Sequence, residues 1–147
     1  MNRKNKKGFT LVELMVVAII VAILAAVAIP LMTANKKRAA ASEGEAGLGS
    51  LRTCMRSLKA QTDAYNKALD GTTINVGDLW TKVPGASQSD LNGRYFDGAA
   101  YDLTTVSASN YTLRVRGSQS TVAPDLGIVA GVVMTLDQDG QFSRTGL

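Results

Sequence analysis

The spacing of hydrophobic positions changes twice along this chain. From Leu14 to Asn35 no residue is charged, and Leu, Ile, Val, Met and Ala dominate these 22 positions. As a helix they span about 33 Å, enough for a hydrocarbon layer about 30 Å thick. β-Branched residues are many, but a lone segment in lipid must be helical, because every backbone group has to pair within it. Beyond the run, Leu48, Leu51, Met55, Leu58, Thr62, Tyr65 and Leu69 recur at alternating steps of three and four. That is one face of a helix, with only Thr62 polar. Gly71 after Asp70 is the expected stop. Together the two patterns predict a nearly continuous helix from Phe9 to about Ala68, about 60 residues and about 90 Å long. Pro30 removes a backbone donor and predicts a kink. Gly44, Gly47 and Gly49 weaken the middle by about 1 kcal/mol each relative to Ala, so a flexible zone is expected between Pro30 and Gly49. The stripe spans only three heptads and lacks paired flanking charges. It therefore predicts packing onto the chain's own sheet rather than a coiled coil.

From Gly71 onward the texture is different. "GTTINVGDLWTKVPGASQSDLNG" is rich in Gly, Ser, Thr and Asp, with a short apolar piece at Val76 to Val83. It predicts a loop with one short helix, and Trp80 closing the edge of the core. Strand signals follow. "RYFDGAAYDLTTVSA" is broken at Gly98. "NYTLRVRG" puts Tyr111 and Leu113 on one face and Thr112, Arg114 and Arg116 on the other. "GIVAGVVMTLDQDG" predicts a longer apolar strand, and "QFSRTG" a return after a turn at Asp139-Gly140. The fold class expected is α+β, a long N-terminal helix packed on a 3–4-stranded antiparallel sheet.

Charge and cysteine content narrow the function. The net charge is +4 over 147 residues. Arg3, Lys4, Lys6 and Lys7 carry this excess; from Phe9 onward 12 basic residues face 12 acidic ones. The basicity therefore reads as a cytoplasmic orientation signal before an apolar span. Lys36, Lys37 and Arg38 beyond the span compete with it, but the leader sits directly against the run and is expected to prevail. There is no histidine and one cysteine, Cys54. An intramolecular disulfide and histidine acid–base chemistry are excluded, no Cys/His zinc constellation is possible, and no suggestive carboxylate pair appears. The expectation is a protein that is not an enzyme and has no cofactor, with Cys54 a buried free thiol.

One residue in the apolar segment needs its own reason. Glu13 places a carboxylate near the start of a run otherwise suited to lipid, where an ionisable group is costly and functional by default. Ala18, Ala22 and Ala26 form a small-residue stripe suited to close helix approach. A secretory signal peptide accounts for the basic start and the small residues of "AAVA", but its apolar region is shorter than this one. An uncleaved anchor accounts for the length. Neither accounts for Glu13.

The stretch "KKGFTLVELMVVAIIVAILAAVAIP" resembles the N-terminus of type IV prepilins and of the related pseudopilins of type II secretion systems. The resemblance covers roughly residues 4 to 35. It rests on a short basic leader ending in Gly8, Phe9 as first mature residue, Glu13 at the fifth mature position and Pro30 at the twenty-second. It implies three parts: a cleaved leader at 1–8, a transmembrane or filament-core helix at 9–35, and a soluble headgroup at 36–147 that includes the rest of the long helix. A prepilin peptidase is implied to cut between Gly8 and Phe9 and to methylate the new amine of Phe9. The subunit is implied to wait as a single-pass inner-membrane protein, N-terminus in the cytoplasm, among membrane lipid. An assembly platform then extracts it into a helical filament of identical copies. The filament is on the cell surface if it is a pilus and in the periplasm if it is a pseudopilus; the motif serves both. A static single-span protein with an outer binding domain is the alternative of another class. Many members staple the C-terminal region with a disulfide. This chain has one cysteine, so packing, hydrogen bonds or an ion must hold that region.

Two further groups carry candidate chemistry. Asp137-Gln138-Asp139-Gly140 opens like a calcium loop, and major pseudopilins carry calcium near the C-terminus, but the downstream glutamate of an EF-hand is missing. A hairpin turn is expected, with Asp137 and Asp139 as weak calcium candidates. Arg114 and Arg116 share a strand face, but two arginines without interleaved aromatics make a poor phosphate groove, so no nucleic-acid partner is expected and a solvated face is.

Overall fold

The computed structural model describes residues 8–121 and 126–146. The basic residues Arg3, Lys4, Lys6 and Lys7 therefore lie outside the described residues. The chain divides into two compact units, Met1–Asn35 and Lys36–Leu147. Helix α1, Leu11–Thr62, supplies all the described regular structure of the first unit and continues into the second.

In the second unit α1 is followed by a short α2, Leu79–Lys82, then β1, Tyr101–Val106, and β2, Tyr111–Arg116. A helical turn, α3, Leu126–Val129, precedes β3, Val133–Asp137, and β4, Phe142–Thr145. The four strands form one antiparallel sheet in the order β1-β2-β3-β4. The architecture is the α+β arrangement expected from the spacing.

Periodicity explains the core. Gly44, Leu48, Leu51, Met55 and Leu58 are buried on α1. The inward residues Tyr101, Leu103, Tyr111, Leu113, Val115, Met134 and Leu136 of the strands complete the same core. Strand β2 alternates buried and half-buried residues without a break, as a sheet with one covered face requires. Each fully buried Leu contributes about 1.5–3 kcal/mol relative to exposure. Trp80 is half-buried against this core, as expected.

Four expectations need correction. The helix ends at Thr62, not near Ala68. Asp63 adopts a positive φ of 61°, and its N–H donates to Lys59 O at 2.8 Å. Thr62 Oγ1 donates to Leu58 O and Ala64 O, which ties the reversal locally. Gly71, with φ 83°, serves a tight turn whose N–H donates to Ala68 O. Because the chain has left the helix, Ala68 is buried and Leu69 is 57% exposed.

The middle of the helix is also not a weak zone throughout. A Cβ on Gly44 would run into Met134, and one on Gly47 into the ring of Tyr101. These glycines let sheet side chains approach the helix axis, and packing outweighs propensity there. Gly49 has open space around it, so no close contact calls for glycine there among the described residues.

The apolar strand expected from Gly127 is shorter. Residues 126–129 turn as α3, and only Val133–Asp137 pairs. The cause is close approach: the Val129 carbonyl sits where a Gly117 side chain would be, and the Gly117 N–H donates to Val132 O at 2.9 Å. Finally, Arg114 and Arg116 are not simply solvated. Both bind Asp102, at 2.7 and 2.8 Å.

Candidate functional site

The N-terminal unit has an apolar surface that no described residue of that unit covers. Phe9 and the large apolar residues from Leu11 to Met32 are all exposed, and the most apolar window of α1 has a mean hydropathy of 3.1 with nothing buried. Leaving so many apolar side chains in water opposes the hydrophobic effect, so this surface requires lipid or other helices. Ala18, Ala22 and Ala26 are exposed along it.

Glu13 has a local arrangement that sequence reasoning missed. The Glu13 N–H donates to Thr10 Oγ1 at 3.2 Å. In return, Glu13 Oε2 accepts from the Thr10 N–H at 2.8 Å and from Thr10 Oγ1 at 2.9 Å. This is a reciprocal capping box, closing the first turn of α1 just before its apolar run. The signal was present as Thr10-x-x-Glu13, with the spacing that lets each side chain reach the other's backbone N–H. One carboxylate oxygen is committed to the cap. Oε1 makes no hydrogen bond among the described residues.

Gly8 is exposed, with nothing within 4 Å of a Cβ built on it. Nothing in the packing of the described residues requires glycine there. Pro30 lies within α1, and Thr33 Oγ1 donates to Ile29 O beside it.

The other candidates sit in the second unit. Asp137 closes the β3–β4 hairpin: its carboxylate accepts from the Gln141 N–H at 2.8 Å, and its carbonyl from the Gly140 N–H at 3.1 Å. Gly140 takes the positive φ, 88°, that this turn needs. Asp139 accepts from the Gln138 side chain. The local role visible for Asp137 is that of a turn. Cys54 is a half-buried free thiol near Gly85, and burial pushes its pKa up.

Without a disulfide, the C-terminal region is held by polar contacts between distant parts of the chain. Arg144 pairs with Glu45 of α1 at 2.6 Å, Lys37 Nζ donates to Gly146 O, and Arg52 donates to Gln138 O. Asp97, 7% exposed, accepts from the N–H of Thr121 at 2.9 Å, from the Thr121 hydroxyl, and from the Ala100 N–H. Glu43 likewise accepts from the backbone N–H groups of Arg94, Tyr95 and Phe96. Neither carboxylate is marked by a local motif, because its partners are backbone groups far away in sequence.

Comparisons with known proteins find matches both to the N-terminal segment and over most of the chain. Residues 3–29 match the family described as the prokaryotic N-terminal methylation motif. Over 65 residues the chain is 42% identical to the type IV major pilin protein PilA of Myxococcus xanthus, covering 44% of this chain and 29% of that one. It is 61% identical over 36 residues to the type IV wide pilus major component PilA4 of Thermus thermophilus, 24% of this chain and 28% of the other. Both matches thus span under a third of the relative's length. Fimbrial protein Q of Moraxella bovis is 28% identical over 138 residues, covering 92% of this chain and 82% of that protein. Among solved structures, the non-core minor pilin PilV of Neisseria meningitidis superimposes with a TM-score of 0.48 at 18% identity, over 77% of this chain and 90% of that one.

Proposed function

We propose that this chain, a member of the type IV prepilin family, is a structural subunit that polymerises into a type IV pilus filament. The observation that carries the reading is the methylation-motif segment joined to an apolar helix surface with no partner among the described residues. Lipid covers that surface before assembly, and the helices of identical copies cover it afterwards. The relatives named as pilins and as a fimbrial protein favour a pilus over a secretion pseudopilus.

In this reading a prepilin peptidase cuts between Gly8 and Phe9 and methylates the Phe9 amine. Glycine before the bond has the least bulk for entering an active site, and the absence of any packing reason for Gly8 supports that origin. Pro30 is where the anchor helix bends. Glu13 is the assembly residue. Its free Oε1 faces no basic group of its own helix, since Lys36 lies about 35 Å further along. Cleavage after Gly8 creates a free amine on Phe9, the one new group that can bring a positive charge to the depth of Glu13. Pairing that amine in an incoming subunit with Glu13 in the fibre neutralises both charges in an apolar core and selects one register.

Sequencing the mature N-terminus tests the processing step. Methylated Phe9 is expected, while an intact Met1 indicates a static anchor. Gly8→Val is expected to leave uncut precursor in the membrane; normal processing of that variant counts against the assignment. Thin filaments in negative-stain micrographs, lost on deletion, test the pilus.

A further inference from the structure

The two edges of the second unit differ in the charged groups they leave without a partner among the described residues. Successive residues of a helix turn by about 100°, so residues of α1 can be placed around its axis relative to the buried face of Gly44, Leu48, Leu51, Met55 and Leu58. Glu43, Gly47 and Ser50 fall to one side of that face. Arg52, Arg56 and Lys59 fall to the other, together with Glu45, whose charge Arg144 of β4 neutralises. The sheet agrees: Tyr101 of β1 stands beside Gly47, while Arg52 reaches the β3–β4 turn at Gln138. Strands β1 and β4 are the two edges of the sheet.

On the first edge lies an open cleft of about 220 Å³, between α1 and the 90–93 loop. Glu43, Gly47, Ser50, Asp90, Asn92 and Tyr101 line it, and no basic side chain does among the described residues. Arg94, just past the loop, lies over the Tyr95 ring. Tyr101 is only 2% exposed, yet it lines this cleft, and its hydroxyl makes no hydrogen bond among the described residues. Burial, then the charges of Glu43 and Asp97, push its pKa up, so the phenol stays protonated and offers a neutral donor and acceptor. Asp90 is exposed, and among the described residues its side chain is engaged only by the Ser89 hydroxyl.

The opposite edge supplies the complementary group. Arg52 is engaged with Gln138 O, and Lys59 lies over the Tyr65 ring. Arg56 is exposed and makes no hydrogen bond or ion pair among the described residues.

We propose that the cleft bounded by Asp90, Glu43 and Tyr101 receives Arg56 of a second copy of this chain, joining the acidic edge of one headgroup to the basic edge of the next. A planar guanidinium suits a carboxylate beside an aromatic hydroxyl better than a lysine does. Because the two edges differ, the contact is heterologous, and a heterologous contact that does not close into a ring propagates as a helical filament. The proposal rests on the filament reading and adds to it a headgroup contact that sets register apart from the apolar helix.

A charge swap in cells bearing the assembly machinery tests it, with sheared filament yield normalised to processed subunit. Arg56→Glu and Asp90→Lys are each expected to lower the yield about tenfold or more, and the double variant to restore it to within about threefold of wild type. Singles that assemble at the wild-type yield, or a double no better than either single, overturn the contact. If the wild-type chain makes no filaments at all, the filament reading fails and the contact falls with it.

Discussion

Helix α1 contains two apolar stretches of opposite fate. From Leu11 to Met32 every large hydrophobic side chain is exposed, whereas from Ala40 to Leu58 the apolar residues turn one face into a core of strands. The difference lies in their distribution. The first stretch is apolar all round, and nothing described in its own unit packs on it. The second concentrates its apolar residues on a stripe, sets glycines where Met134 and Tyr101 come close, and has a sheet of its own to meet. An apolar helix without a stripe has to take its partner from outside the chain; an amphipathic one is completed within it. Stability should therefore respond to the second stretch, and assembly to the first.

The sharpest way to break that division is at Glu13, because the capping box gives the carboxylate a local role besides the inter-subunit one proposed for it. Glutamine keeps a capping box but carries no charge. Glu13→Gln and Glu13→Val are therefore both expected to be cleaved and inserted yet to form no filaments. Thr10→Val, which removes the cap hydroxyl and keeps the charge, is expected to retain them. Counting filaments by microscopy beside a blot for mature subunit separates the roles. Normal assembly by Glu13→Gln would make the cap, not the charge, the reason for the carboxylate.

The next largest effect falls on the second stretch. Leu58 is fully buried, so Leu58→Ala is expected to destabilise the headgroup by about 2–5 kcal/mol. For a domain of this size that lowers Tm by roughly 10 °C or more. Val17→Ala, on the exposed stretch, should leave the headgroup transition where it is. Circular dichroism of the full chain in detergent reads both. Equal shifts from the two variants would mean that the stretches are not independent in the way their burial implies.

What the sequence shows and what it hides follow from the range of each interaction. The apolar run, the stripe from Leu48 to Leu58, the alternation of β2 and the Asp139-Gly140 turn are short-range patterns, and each is where its spacing puts it. The end of α1 was not legible, because Thr62 and Asp63 stop the helix with side-chain bonds and a left-handed residue while the apolar spacing runs on through Tyr65. The roles of Gly44 and Gly47 were misread because propensity is local and the side chains they accommodate arrive from strands more than fifty residues away. The same holds for Asp102, which pairs Arg114 and Arg116 across a strand register no motif announces. In the N-terminal segment a linear motif marks Gly8, Phe9, Glu13 and Pro30. Thr10 was overlooked although its spacing was equally local.

The smallest effect tests how the second unit closes without a disulfide. Asp97 is buried, which raises its pKa, but the bonds it accepts from Thr121 and Ala100 outweigh burial and leave it below the ordinary value of 3.8. The ionisable neighbour facing it is Tyr101, whose pKa is pushed up and which stays neutral through the acid range. A depressed native pKa stabilises the fold above the unfolded value, and that contribution is lost as pH falls from about 3.8 through the native value. Replacing the carboxylate with an amide turns a pure acceptor into a group that presents donors to donors. Asp97→Asn is therefore expected to destabilise the headgroup by about 1–3 kcal/mol at pH 7. The gap should narrow as pH falls below 3.8, because protonation makes the native side chain neutral as well. Urea denaturation at a series of pH values checks this. Wild-type and variant curves that stay parallel from pH 7 down to the acid limit would show that the Asp97–Thr121 bonds, though formed, do not hold the loop through the carboxylate charge.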